Sequence, residues 1–110
     1  MITLNLAKEF SPYPAGRYPD DGDFNGQRFR DKVLLPLLEK ARIVQVNIDG
    51  VATLPSSFWE ETWGGMVRKR RIEKAEAQSR LMVVTSEPDL ERYVDLAKSF
   101  LAEAEPDSAT

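Results

Sequence analysis

Residues 44–65, VQVNIDGVATLPSSFWEETWGG, restrict the fold more than any other stretch. Val44, Val46 and Ile48 alternate with Gln45 and Asn47, the period of a strand with one buried face, read over residues 42–48. Asp49-Gly50 marks a turn, and Leu54-Pro55 stops extended structure. Ser56-Ser57 then opens a helix over residues 58–68. In it Trp59, Trp63, Met66 and Val67 share one face, with Phe58 and Thr62 beside them and Glu60 and Glu61 turned outward or back to the helix start. Ser57 and Glu60 fit a capping box, in which the hydroxyl accepts from the Glu60 amide and the carboxylate accepts from the Ser57 amide. Gly64-Gly65 falls inside this helix at about 1 kcal/mol per glycine relative to alanine. A close approach by another backbone, or an early helix end with a left-handed residue, would account for the pair.

The flanking segments continue the alternation of strand and helix. Ile2, Leu4 and Leu6 alternate with Thr3 and Asn5 as a first strand, and Phe10 extends its buried side. Residues 11–23, SPYPAGRYPDDGD, are too rich in proline and glycine for a helix, with Arg17-Tyr18 as a short returning strand. A loop of this length in a small domain is either functional or a solvated connector. Asn25 caps a helix over residues 26–41, where Phe29, Val33, Leu37 and Ala41 recur every four residues with Leu34 and Leu38 beside them. Pro36 removes the bond to the Lys32 carbonyl and predicts a kink. Arg28 and Arg30 sit in the first turns, where the helix dipole disfavours cations, so acidic partners are expected from Asp20, Asp21 or Asp23.

Past the central helix, Arg68, Lys69, Arg70 and Arg71 form a basic run, and residues 72–78 read as a short helical extension or ordered loop. Leu81, Met82, Val83 and Val84 form an apolar strand covered on both faces. Ser86 caps a last helix with Pro88 and Asp89 in its first turn; Leu90, Tyr93, Val94, Ala97, Leu101 and Ala104 form its buried stripe. The pattern is α/β: one small domain over residues 1–104, a mixed, mostly parallel sheet of three to four strands with three to four helices, and a disordered tail over residues 105–110.

Composition closes several functional classes. Among the 110 residues there is no cysteine and no histidine. Disulfides, thiolate metal sites and Cys nucleophiles are excluded, as is Ser-His-Asp chemistry, so neither metal nor cofactor is expected. No apolar run reaches the length of a membrane span, and no basic segment precedes an apolar core at the N-terminus, so the expected location is the cytoplasm. A net charge of −3 and a sequence pI near 5.0 disfavour a dedicated nucleic-acid binder.

Three blocks of residues carry a resemblance. Gly16, Arg17, Asp21, Gly22, Asn25, Gly26, Phe29, Arg30, Leu35, Pro36 and Leu38 form the first block. Asp49 and Gly50 form the second; Ser56, Ser57, Phe58, Glu61, Gly64, Gly65 and Arg68 form the third. In this order they resemble a bacterial STAS-like family of unknown function, over roughly residues 10–70. The related fold of anti-sigma-factor antagonists has a small sheet with helices and a central strand leading to a serine loop at a helix N-terminus. In its signalling members that serine is phosphorylated by a partner of the histidine-kinase-like ATPase superfamily, and the complex then dissociates. Matched to a signalling motif of roughly Asp-Ser-Ser-Gly, Ser56 takes the acceptor position and Ser57 the second serine. Pro55 stands in place of the aspartate and Phe58 in place of the glycine, which makes this loop stiffer and more apolar.

The resemblance therefore implies a non-catalytic regulatory module that binds a protein partner through Ser56, Ser57, Trp59, Glu60, Glu61 and Trp63, with Ser56 as candidate phosphoacceptor. A phosphate there gains from the helix dipole and is opposed by Glu60 folded back in the capping box. From the residues alone, Arg17, Arg28, Arg30 and Arg68 are either an anion-binding group or partners of nearby carboxylates. An alternative of another class is a nucleotide-binding protein or enzyme that uses Ser56, Glu60 or Glu61 and these arginines, although no base for the serine is evident. A third is a nucleic-acid adaptor through Arg68–Arg71 and Arg80.

Overall fold

A computed structural model describes residues 1–108. Strands β1 (Ile2–Asn5), β2 (Val44–Asn47) and β3 (Leu81–Val84) form one sheet in the order β1-β2-β3, with both pairings parallel. Parallel neighbours need crossovers, and helices supply them. Between β1 and β2 lie a single turn, α1 (Leu6–Glu9), and α2 (residues 26–40); between β2 and β3 lie α3 (Ser56–Arg68) and α4 (Lys74–Arg80). Helix α5 (Glu91–Glu103) follows β3. The α/β expectation holds, and the sheet is wholly parallel.

The register separates a dry face from a wet one. Val44 pairs with Ile2 and Leu81, and Val46 with Leu4 and Val83; these rows face the core. The rows between them, Thr3–Gln45–Met82 and Asn5–Asn47–Val84, lie on the opposite face, where Thr3 and Met82 are exposed. The expectation that β3 is covered on both faces is therefore corrected: it is an edge strand with one covered face.

Helix α3 fills the middle of the domain. From Phe58 to Val67 every residue except Glu60 is buried, and the helix packs against both α2 and α5. Its N-terminus differs from expectation. The helix begins at Ser56, with Pro55 at the capping position and no side-chain cap, so the Ser57–Glu60 capping box does not form. Glu60 is drawn instead to Arg17 and Arg68.

Local chemistry explains the other departures. The first strand ends at Asn5 because Asn5 caps α1: its side chain accepts from the Lys8 amide at 2.9 Å while Glu9 accepts from the Asn5 amide at 2.7 Å. Leu6, expected in the strand, is buried from α1. Arg17-Tyr18 forms no strand, since both amides donate to the Asp21 carboxylate. Asn25 caps α2 as expected, accepting from the Arg28 amide at 2.9 Å, and the Gly16 and Arg17 carbonyls take the free N–H groups of Gly26 and Gln27. Within α2 the turn widens to a π-helix over Phe29–Leu34, and Leu35 donates to the Arg30 carbonyl five residues back. The irregularity caused by Pro36 is thus taken up as a wide turn just before it. Ser86 does not cap α5; its amide and hydroxyl donate to Asp49 at 2.8 and 2.6 Å, tying the end of β2 to the end of β3.

The end of α3 carries strain. The amide of Arg70 donates to the Val67 carbonyl and that of Arg71 to Met66, the paired bonds of a Schellman closure. Arg70 occupies the left-handed position with φ 56°, where glycine is the usual residue. Its guanidinium donates to the Asp107 carbonyl, and the Asp107 amide donates to the Arg68 carbonyl at 2.9 Å. The segment expected to fray is anchored at that point, and its residues 109–110 lie outside the described part. Arg70→Gly is predicted to raise stability by about 0.5–1 kcal/mol in a urea titration, because the left-handed penalty exceeds the exposed hydrogen bonds it removes. A loss of stability would mean that the Asp107 contacts dominate.

Candidate functional site

The charged residues that mark the sequence meet in one cluster beneath the start of α2. Glu61 is fully buried and accepts from three guanidiniums: Arg30 at 2.6 Å on one oxygen, Arg17 at 3.3 Å and Arg68 at 3.2 Å on the other. Glu60, one residue earlier, takes Arg17 at 2.5 Å and a two-pronged contact from Arg68 at 2.8 and 3.1 Å. Arg30, itself buried, also grips Asp31. The three arginines thus balance three carboxylates. Burial opposes ionisation of Glu60, but Arg68 and Arg17 outweigh it and hold the carboxyl below its usual 4.5. Burial likewise opposes the charge on Arg30, and Asp31 and Glu61 overcome it.

Two expectations are corrected here. Glu61 does not face outward, and Arg28 does not join the other arginines. Arg28 lies over Phe24 and donates to the Asp23 backbone carbonyl. The acidic partner expected from Asp20, Asp21 or Asp23 is, for Arg30, Glu61 with Asp31. As anion binders Arg17, Arg30 and Arg68 are already occupied.

The glycine pair follows from this cluster. Helix α3 runs through Gly64 and Gly65, so neither ends it. A methyl group on Gly65 would strike Arg30 and the Glu61 carboxylate, and one on Gly64 the Glu60 carboxylate. The space is kept for ion pairs. The close backbone approach sits at Gly26 instead, where a Cβ would lie 2.7 Å from the Phe58 carbonyl oxygen on α3.

Of the expected docking residues, Trp59, Trp63 and Glu61 are fully buried and present nothing to a partner. Trp59 packs at 5.2 Å against Trp63 and donates its indole N–H to the Tyr93 carbonyl at 2.8 Å. Glu60 and Ser57 are half-buried, and Ser56 is exposed. Ser56 lines a groove of about 350 Å³ between the loop before α3 and helix α5. Arg92, Tyr93 and Leu96 form its far wall, with Arg92 stacked 4.7 Å over the Tyr93 ring. Leu96 and Arg92 were not singled out from the sequence. The available signal was Leu96, an apolar residue outside the buried stripe of α5.

The basic run is consecutive in sequence and divided in space. Arg68 serves the ion cluster, Lys69 lies 3.6 Å from Asp107, and Arg70 holds the Asp107 carbonyl. Arg80 covers the carbonyls at the end of α2.

Glu61→Gln is expected to cost about 3–5 kcal/mol in chemical denaturation, because it leaves Arg30 charged and poorly paired in the interior. The double variant Glu61→Leu with Arg30→Met should recover most of that loss. Equal losses in both would show that the charges are not the cause. A pH dependence follows from the carboxylates. The Ser86 and Thr85 hydroxyls hold Asp49 below its usual 3.8, as Arg68 and Arg17 hold Glu60 below 4.5. Both groups bind protons more readily when unfolded, so their stabilisation is complete above about pH 5 and is lost as pH falls through the lowered values. With no histidine to titrate, stability measured between about pH 5 and 8 should vary little by comparison.

No curated protein and no solved structure matches the chain. Residues 25–91, more than half of it, match the family described as STAS-like domain of unknown function (DUF4325). That span contains Arg30, Glu61, Arg68, both glycines of α3 and Ser56, and on this match the chain belongs to the STAS-like domain family.

Proposed function

We propose that the chain is a non-catalytic interaction module whose partner protein docks in the groove at the start of α3, with Ser56 as the position at which a phosphate switches the contact. The observation that carries this reading is the state of the α3 N-terminus. Ser56 is exposed, no side chain caps the helix, and Glu60 is held away by Arg17 and Arg68. The carboxylate that would have opposed a phosphate is thereby neutralised, while the free N–H groups and helix dipole favour one. Arg92 in the same groove adds a cation, and Leu96 an exposed apolar contact. The family resemblance suggests an ATPase of the histidine-kinase-like superfamily as partner.

The enzymatic reading has less support. Glu60 lies below the range of a general acid at neutral pH, Glu61 is saturated by arginines, and no hydrogen-bonded base accompanies Ser56 among the described residues. The nucleic-acid reading loses its continuous basic strip, since Arg68, Arg70 and Arg80 point to separate partners.

Affinity capture from source-cell lysate with wild type, Ser56→Asp and Leu96→Lys, with phosphosite mapping, tests the proposal. An ATPase-type kinase held by wild type, lost from both variants and accompanied by phosphate on Ser56 is the expected result. A partner lost only with Leu96→Lys would remove the switch and leave constitutive docking. Retention by both variants would overturn the groove as the docking surface.

A further inference from the structure

A cavity of about 680 Å³ lies over the solvent-facing side of α2 and shares no residue with the groove at Ser56. One wall is the loop from Pro19 to Asn25. The floor is the face of α2 that runs from Arg28 through Lys32 and Leu35 to Glu39, and Arg71, from the segment after α3, closes the other side. The wide turn over Phe29–Leu34 forms part of the floor, and such turns recur at functional sites. The volume is in the range of small-molecule sites.

Three exposed cations meet in this cavity, and none pairs with a carboxylate among the described residues: Arg28, Lys32 and Arg71. The Lys32 ammonium and the Arg71 guanidinium make no hydrogen bond there either. Arg71 differs in this from the rest of its basic run, because Arg68 serves the ion cluster while Lys69 and Arg70 are engaged by Asp107. Arg28 is held in place without being neutralised. Its guanidinium lies 5.2 Å from the Phe24 ring and donates to the Asp23 backbone carbonyl. The start of α2 contributes nothing to the charge, since the Gly26, Gln27 and Arg28 amides are taken by Gly16, Arg17 and the Asn25 side chain. The positive side chains come from two elements far apart in sequence, the arrangement that holds a doubly charged anion.

Carboxylates on the same walls narrow the ligand further. Asp31 is already bound by Arg30. Asp23 and Glu39 have no cation partner among the described residues, so they present free acceptors to the cavity. A bare anion would be attracted by the cations and repelled by these two. A molecule that carries a phosphate and several hydroxyl groups satisfies both sets, with Leu35 and Pro36 available to the C–H face of a sugar ring. We infer that this cavity binds a small phosphorylated sugar, with its phosphate among Arg28, Lys32 and Arg71 and its hydroxyl groups donating to Asp23 and Glu39. The inference stands or falls without the docking proposal.

Glucose 6-phosphate and ribose 5-phosphate are the probes, and nitrogen-15 correlation spectra of the full chain at fixed ionic strength give the readout. Saturable shifts are expected at the Asp23, Gln27, Lys32 and Arg71 amides with at least one of the two, at an affinity about tenfold above that of inorganic phosphate, and none with glucose. Arg71→Gln should weaken sugar-phosphate binding about tenfold. Asp23→Asn should weaken it about threefold without weakening the binding of inorganic phosphate, a split that charge attraction alone does not produce. Lys98→Gln, outside the cavity, should change nothing. All three positions are exposed, and thermal melts confirm that the variants fold. Inorganic phosphate or sulfate bound as tightly as the sugar phosphates would show general attraction of anions and overturn the inference. So would an absence of saturable shifts with both probes, or an undiminished response in Arg71→Gln. A phosphoserine peptide bound as tightly as either sugar phosphate would assign the cavity to a protein ligand, and would equally overturn it.

Discussion

A carboxylate in the dry middle of a small domain must be met on each oxygen, and Glu61 is met by guanidiniums from three separate stretches of chain. The attraction within such a group is largely offset by the loss of hydration, so its weight lies less in net stability than in what it permits. The loop carrying Arg17, the first turns of α2 carrying Arg30, and the end of α3 carrying Arg68 satisfy all the charges in one arrangement. Two glycines in the middle of a helix, together worth about 2 kcal/mol of helix propensity, are the cost of leaving room for it. An aromatic chain runs beside the charges, from Phe24 through Phe10, Phe29 and Phe58 to the two tryptophans, and fixes the same loop to the core.

The elements with strong periodicity were legible in the sequence. Val44 and Val46 do form the buried face of a central strand, shorter than the expected residues 42–48, with Ile48 buried just past its end; Asn25 does cap α2, and the stripe of α5 does face the core. What escaped were decisions made by residues distant in sequence. Ser57 and Glu60 have the spacing of a capping box, but two arginines, one of them 43 residues away, outcompete a backbone amide for the same carboxylate. Ser86 looks like a cap for the same local reason and is claimed by Asp49. Glu61 stands in a helix where its neighbours face the interior, and a charged residue at such a position reads as exposed until its partners are known. The glycine pair was noticed and its reason was not, because the obstruction is made of side chains rather than backbone.

The same competition shapes the surface at Ser56. Had Glu60 closed a capping box, the helix start would have been satisfied and negatively charged. With Glu60 engaged below, the start of α3 is left with unsatisfied donors beside an exposed hydroxyl, a groove and an arginine. The ion pairs that hold Glu60 in the cluster are therefore also what leaves the start of α3 without a side-chain cap. Directly behind it, Phe58 and Trp59 carry the first turn of the helix into the packed interior, so Ser56 stands on a rigid support.

The sheet has one covered and one uncovered face, which is unusual for strands that all run parallel. Helices occupy the side of Leu4, Val44 and Val46, while Thr3 and Met82 stand in water. Selection acts on the two sides with different force. A change at Val46 must be accommodated by a packed interior, whereas a change at Thr3 meets only solvent, so divergence among descendants of this chain would accumulate on alternate residues of each strand and leave the positions between them nearly fixed.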